Sequence, residues 1–209
     1  MPDLELADIQ SGVLRPRPTP FAATYVVLRI DDRNAGRALM RKLSEVVSSA
    51  AHPESPAGDT WVSASLTYRG LEALGVAQTS LDSFPASFRE GMAARATGLG
   101  DVGDSAPERW EKPLGSPDVH VIVTAIAPDD ERLEAAVARA GDSLAGFPGT
   151  VPIWRQNCHV LPGEREPFGY RDGISHPAIE GSGIPGTNPL EKPLKAGDFV
   201  LGYPGELDA

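Results

Sequence analysis

The densest group of chemically capable residues is Phe168-Gly169-Tyr170-Arg171-Asp172-Gly173-Ile174-Ser175-His176-Pro177. One carboxylate stands between two glycines, with an arginine before it and a histidine after it. Gly169 and Gly173 open backbone angles closed to other residues and let a flat ligand approach the main chain. A carboxylate held in a dry pocket has its pKa raised by desolvation, and Arg171 would oppose that rise. Such a group can carry protons near neutral pH. The same residues also read as a turn, because Asp-Gly is a common turn dipeptide and an Asx-turn accounts for Asp172 without any chemistry. Residue types alone leave both readings open and favour the turn.

Elsewhere the chemistry is sparse. No P-loop, GxGxxG after a strand, HExxH or GxSxG motif is found. Gly98-Leu99-Gly100-Asp101-Val102-Gly103 has the spacing of a dinucleotide loop, but it follows no strand and opens no strong helix. The single cysteine, Cys158, excludes an internal disulfide and a multi-cysteine zinc site, and reads as an inert apolar filler. His120 and His159 fall on expected strands and His52 at a helix end, all structural settings. Trp61, Trp110, Trp154, Tyr25 and Tyr203 read first as packing residues, and second as surface oxidation sites.

These residues need elements to position them. The β-branched and aromatic stretch Ala23 to Ile30 predicts a buried strand. Ala35, Leu39, Leu43, Val46, Val47 and Ala50 then recur at helical spacing, with Asp31 or Asp32 as cap and His52-Pro53 as stop. A second strand is expected at Trp61 to Thr67, and short helices at Tyr68 to Leu74 and Leu81 to Met92. A third strand is expected at Val119 to Ile126. A helix carrying Leu133, Ala136, Val137, Ala140 and Leu144 follows, then a fourth strand from Val151 to Leu161. Strand, helix, strand twice over is the split βαβ pattern. It predicts an α+β, ferredoxin-like fold: a four-stranded antiparallel sheet with helices on one face. The expected division is an arm over residues 1–22, the ferredoxin-like domain over 23–163, and an irregular segment over 164–209. Residues 4–20 offer few core candidates, and Arg15 and Arg17 read as part of a solvated arm.

Composition sets the remaining bounds. The 209 residues suit one large or two small domains. Glycine (22) and proline (20) make up about a fifth of the chain, which points to a loop-rich fold short of disorder. The net charge of −10 repels phosphate backbones, so nucleic acid is not an expected partner. Met1 to Leu6 lack a basic region followed by an apolar run. No stretch approaches the length of a membrane span. The expectation is a cytoplasmic protein without a membrane partner.

Gly169-Tyr170-Arg171-Asp172-Gly173 resembles the GxxDG motif of the dye-decolorising (DyP-type) peroxidases. The likeness extends through Phe168, through Ile174 to Gly181, and through Gly197-Asp198-Phe199-Val200-Leu201-Gly202-Tyr203-Pro204. The order of elements is also similar, since that family is built from two ferredoxin-like halves in a dimeric α+β barrel-like arrangement. The resemblance implies a haem b peroxidase that takes hydrogen peroxide and a small aromatic reductant, a dye or a phenol. It gives Asp172 the distal acid/base role, moving a proton between the peroxide oxygens so that the O–O bond breaks heterolytically. It places Gly173, Ile174 and Ser175 along the haem edge. The family's axial histidine and distal arginine belong to the second half, past the position of Ala209. No iron ligand is therefore expected among these residues, and Arg171 is not the distal arginine's counterpart. His176 would fall on the peroxide side. A homo-oligomer or a second polypeptide is expected to supply the missing half. The alternative is a non-enzymatic ferredoxin-like module that binds a partner.

Overall fold

The computed structural model describes residues 4–15, 21–51, 60–145, 148–163, 165–171 and 176–207, with backbone alone over 139–145. Four strands form one sheet. β1 (Ala22–Ile30) pairs antiparallel with β3 (Val121–Ala127) on one side and with β4 (Thr150–His159) on the other. β2 (Trp61–Leu66) joins outside β3, giving the order β2-β3-β1-β4. This is the antiparallel ferredoxin-like arrangement expected from the split βαβ pattern.

Side chains alternate across a strand, so each strand presents two different faces. Leu28 and Ile30 of β1, Val121, Val123 and Ala125 of β3, and Val62 of β2 point to one face. There they bury against Leu39 and Leu43 of α2 (Arg33–Val46) and Leu133 of α7 (Asp130–Ala145). Asp32, not Asp31, caps α2 by accepting the Ala35 amide at 2.8 Å, while Asp31 pairs with Arg29 at 2.7 Å. The expected helical face ran on to Ala50, but α2 stops at Val46 because Val47 is extended. The chain turns there to reach β2: the Ser48 amide donates to the Val62 carbonyl and the Ser48 hydroxyl accepts the Val62 amide.

β4 lies at the sheet edge, which is why it tolerates Pro152, a residue with no amide to donate. Val27 pairs with Trp154 but Leu28 with Pro152, so Ile153 is the extra residue of a bulge. Four short helices separate β2 from β3: α3 (Tyr68–Ala73), α4 (Gln78–Asp82), α5 (Ala86–Ala94) and α6 (Ala96–Leu99). The single helix expected over 81–92 is therefore two pieces, parted at Pro85, which sits at the N-cap of α5.

A second, smaller core lies apart from the sheet. Leu4, Ile9 and Leu14 from the N-terminal region bury with Ala50, Ile179 and Ala196, and Tyr203 packs on them. Leu14 ends the short helix α1 (Ser11–Leu14). Residues 4–15 thus contribute core side chains where the sequence showed few. Arg15 is tied down too, donating twice to the Ala50 carbonyl. Arg17 lies outside the described residues.

Candidate functional site

The motif segment leaves the sheet at the end of β4, where His159 pairs with Ala22. Arg165 makes isolated bridges to Leu161 and to Arg171. Between them the Glu166 amide donates to the Tyr170 carbonyl at 2.7 Å, and the Gly169 amide to the Glu166 carbonyl at 2.8 Å. The Arg165 guanidinium donates to the Gly169 carbonyl at 2.6 Å. Gly169 has a φ of +88°, a conformation that side-chain-bearing residues rarely hold. The first three residues of the GxxDG motif are thus the returning limb of a tight turn. Phe168 and Tyr170 project from it, 88% and 77% exposed.

Asp172, Gly173, Ile174 and Ser175 lie outside the described residues. The chain is described again from His176, and here it is strongly held. The His176 amide donates to the Thr187 hydroxyl at 2.9 Å, and the Thr187 amide donates back to the His176 carbonyl at 2.8 Å. The Leu194 amide donates to the Ala178 carbonyl and the Glu180 amide to the Leu194 carbonyl, so Ile179 and Leu194 form a parallel bridge. Ile179 is buried in the second core. Tyr203 accepts the Glu5 amide through its hydroxyl. The irregular C-terminal segment is therefore laid over the N-terminal region. Nothing in the sequence marked that pairing beyond the apolar residues Leu4, Ile9 and Leu14.

The histidines divide clearly. His120 accepts the Ile30 amide through Nδ1 at 2.9 Å, and its Nε2 lies 3.1 Å from the Pro117 carbonyl, so its ring is a structural pin. His159 Nε2 lies 2.8 Å from Asp130 at the start of α7. His52 falls outside the described residues. His176 Nε2 is buried and has no hydrogen-bond partner, and an orphaned buried polar atom costs roughly 1–3 kcal/mol. Among the described residues no three His, Cys, Asp or Glu side chains converge as a metal site would need.

The aromatic residues sort by location. Trp110 donates to the Ser105 carbonyl and Trp154 to Glu111. Trp110 walls a cleft of about 990 Å³ with Tyr68, Phe88 and Met92, next to Leu66 and Val119. That cleft is at the Leu28 end of the sheet and the motif at the Ala22 end. Trp61, Tyr25, Trp154 and Cys158 all fall on the sheet face opposite α2 and α7, where Tyr25 is 40% exposed and the other three are half-buried.

No family model matches the chain. In sequence it is 27% identical over 174 residues to a dye-decolorizing peroxidase of Mycena epipterygia, covering 80% of this chain and 30% of that protein. In structure it matches an ancestral D-type dye-decolorizing peroxidase with a TM-score of 0.80 at 25% identity, covering 97% of this chain and 45% of that one. A dye-decolorizing peroxidase in complex with 2,6-dimethoxyphenol matches with a TM-score of 0.78 at 22% identity, 46% of its chain being covered. The chain spans less than half the length of the proteins it matches. In sequence and in fold it is similar to part of the dye-decolorising peroxidases.

Proposed function

We propose that the chain supplies the peroxide-handling side of a haem b peroxidase, with Asp172 as the proton carrier. The observation that carries this reading is the place of the GxxDG motif. Its first three residues, Gly169 to Arg171, close the turn that follows β4, in a fold that aligns with a dye-decolorising peroxidase over 97% of its length.

The described flanks fit a group bound beside the motif. Phe168 and Tyr170 offer exposed rings that such a group would cover, and the orphaned Nε2 of His176 lacks a partner. Gly173, Ile174 and Ser175 would hold the porphyrin edge, the glycine allowing close approach of the backbone. The haem supplies the iron at which peroxide is cleaved. Asp172 accepts a proton from one peroxide oxygen and returns it to the other, which makes water the leaving group. His120 and His159 have other commitments. The resemblance puts the iron's protein ligand in the family's second half, on a further part of the protein or a second polypeptide. The electron donor is a small aromatic molecule of phenolic type, the class seen in the 2,6-dimethoxyphenol complex of a structural neighbour.

The test is a haemin titration of the purified chain followed in the Soret region, then addition of hydrogen peroxide. A saturating band at one haem per chain, with peroxide consumption that Asp172→Asn abolishes, supports the reading. A spectrum like free haemin and no peroxide turnover, even with the remainder of the protein present, rejects it.

A further inference from the structure

The cleft walled by Trp110 lies at the far end of the sheet from the motif, and the peroxidase reading makes no use of it. It encloses about 990 Å³, the upper end of the roughly 300–1,000 Å³ usual for small-molecule sites. Leu66 of β2 and Val119 before β3 line it on one side and α5 on the other. A surface helix normally buries its apolar side chains. None of the residues of α5 is buried, and its Phe88 and Met92 are 37% and 58% exposed on the cleft. The aromatic walls are nevertheless fixed in place. Trp110 donates to the Ser105 carbonyl at 2.8 Å, and its ring lies so close to Gly115 that a Cβ there would stand 2.5 Å from it. Phe88 meets Tyr68 edge-on, with centroids 6.2 Å apart, and Phe84 at 5.0 Å. At the base, the Thr67 hydroxyl ties the start of α3 to the Val119 carbonyl.

The charges of the lining cancel, with Arg69 and Arg89 set against Glu90 and Glu111. Arg69 is paired with Glu72 at 2.8 Å, and Glu111 accepts the Trp154 indole proton at 2.9 Å. The other two, Arg89 and Glu90, are neighbours on α5 and opposite in sign. A charged ligand would give up its water here for no net counter-charge. An uncharged ring gives up little and finds three aromatic partners, which favour edge-on and offset contacts, and the polarisable sulfur of Met92. We propose that this cleft binds an uncharged aromatic molecule, held among Tyr68, Phe88, Met92 and Trp110. The site is independent of Asp172 and of haem.

The probes are indole, which is uncharged, indole-3-acetate, its anionic counterpart, and tryptamine, its cationic one. Each is titrated into the isotope-labelled chain without haem or peroxide, and the indole N–H resonances are followed, that of Trp110 being assigned with Trp110→Phe. Saturable movement of the Trp110 resonance is expected, with that of Trp61, on the open sheet face, left in place. Indole should bind about tenfold more tightly than either charged probe. Met92→Glu, at an exposed position, should weaken indole and strengthen tryptamine, a reversal that mere loss of structure would not produce. Phe88→Ala should weaken all three. Ile126→Lys, on the open sheet face, should change none of them. No saturable movement of Trp110, or binding that Ile126→Lys removes and Met92→Glu does not, overturns the proposal. Binding that is lost once the remainder of the protein is present marks the cleft as an internal seam and overturns it too.

Discussion

Thr67 shows how much one hydroxyl can hold. Its oxygen accepts the Gly70 amide at 3.0 Å, capping α3, and its proton goes to the Val119 carbonyl at 2.6 Å. Thr67→Val removes both bonds without changing shape, and urea unfolding should show a loss of about 1–2 kcal/mol. Asp129 acts at the start of α7. The Arg132 backbone amide holds its carboxyl below the usual carboxylate range, outweighing desolvation, with smaller help from the Arg132 charge and side chain and the Glu131 amide. A carboxyl depressed on folding stabilises above its ordinary pKa, and loses that contribution as pH falls through the lowered value. The unfolding midpoints of wild type and Asp129→Asn should therefore converge as pH drops below about 4. The cap of α2 was legible in the sequence as Asp31 or Asp32, because a cap and its amide are three residues apart. The role of His120 was not, because its partner Ile30 is 90 residues away.

At the scale of elements, β1 carries the fold. It is the strand with a partner on each side that also leads into α2, and Leu28 on it is fully buried. Leu28→Ala should cost about 2–5 kcal/mol, since the close-packed core can only partly collapse around the lost atoms. Gly70 in α3 makes the opposite point. A Cβ there would lie 2.1 Å from the His120 carbonyl oxygen, so Gly70→Ala must push α3 off the start of β3. A loss of about 1–3 kcal/mol in the same assay is expected, despite alanine's better helix propensity. The strands and the two long helices were readable because hydrophobic period is a local property. The end of α2 was misread by a few residues because Ala50 belongs to the second core, and a buried alanine looks the same in either place.

At the scale of the whole molecule, one sheet face is buried under α2 and α7, while the other buries Ala23 and Val27 but leaves their larger neighbours partly exposed. Ile122, Ile126, Trp61 and Trp154 lie half-buried on the side away from α2 and α7, beside the more exposed Tyr25. An apolar face of this kind invites association. It is the observation that favours the alternative, a partner-binding module. Sedimentation velocity should show self-association that grows with concentration, and Ile126→Lys should shift the chain towards monomer. A monomer at all concentrations would remove that argument. The second core has its own consequence. Ile9→Ser should loosen residues 176–206 and speed their cleavage by protease, leaving the sheet intact.

The sequence by itself determined the sheet, its helices and the motif, because alternation, helical spacing and Gly-Tyr-Arg-Asp-Gly are contained in short stretches of chain. The resemblance to the peroxidases rested on the same local runs. Only the tertiary structure decided what holds the motif's surroundings in place. The engagement of His176 by Thr187, the hydroxyl of Tyr203 on Glu5, and the burial of Ile179 against Leu4 and Ile9 join residues from 11 to 198 positions apart. Contacts that far apart leave no period in the sequence. They exist because the C-terminal segment, whose described residues form no strand and only the short helical turn Ala196–Asp198, buries its apolar residues against the other end of the chain.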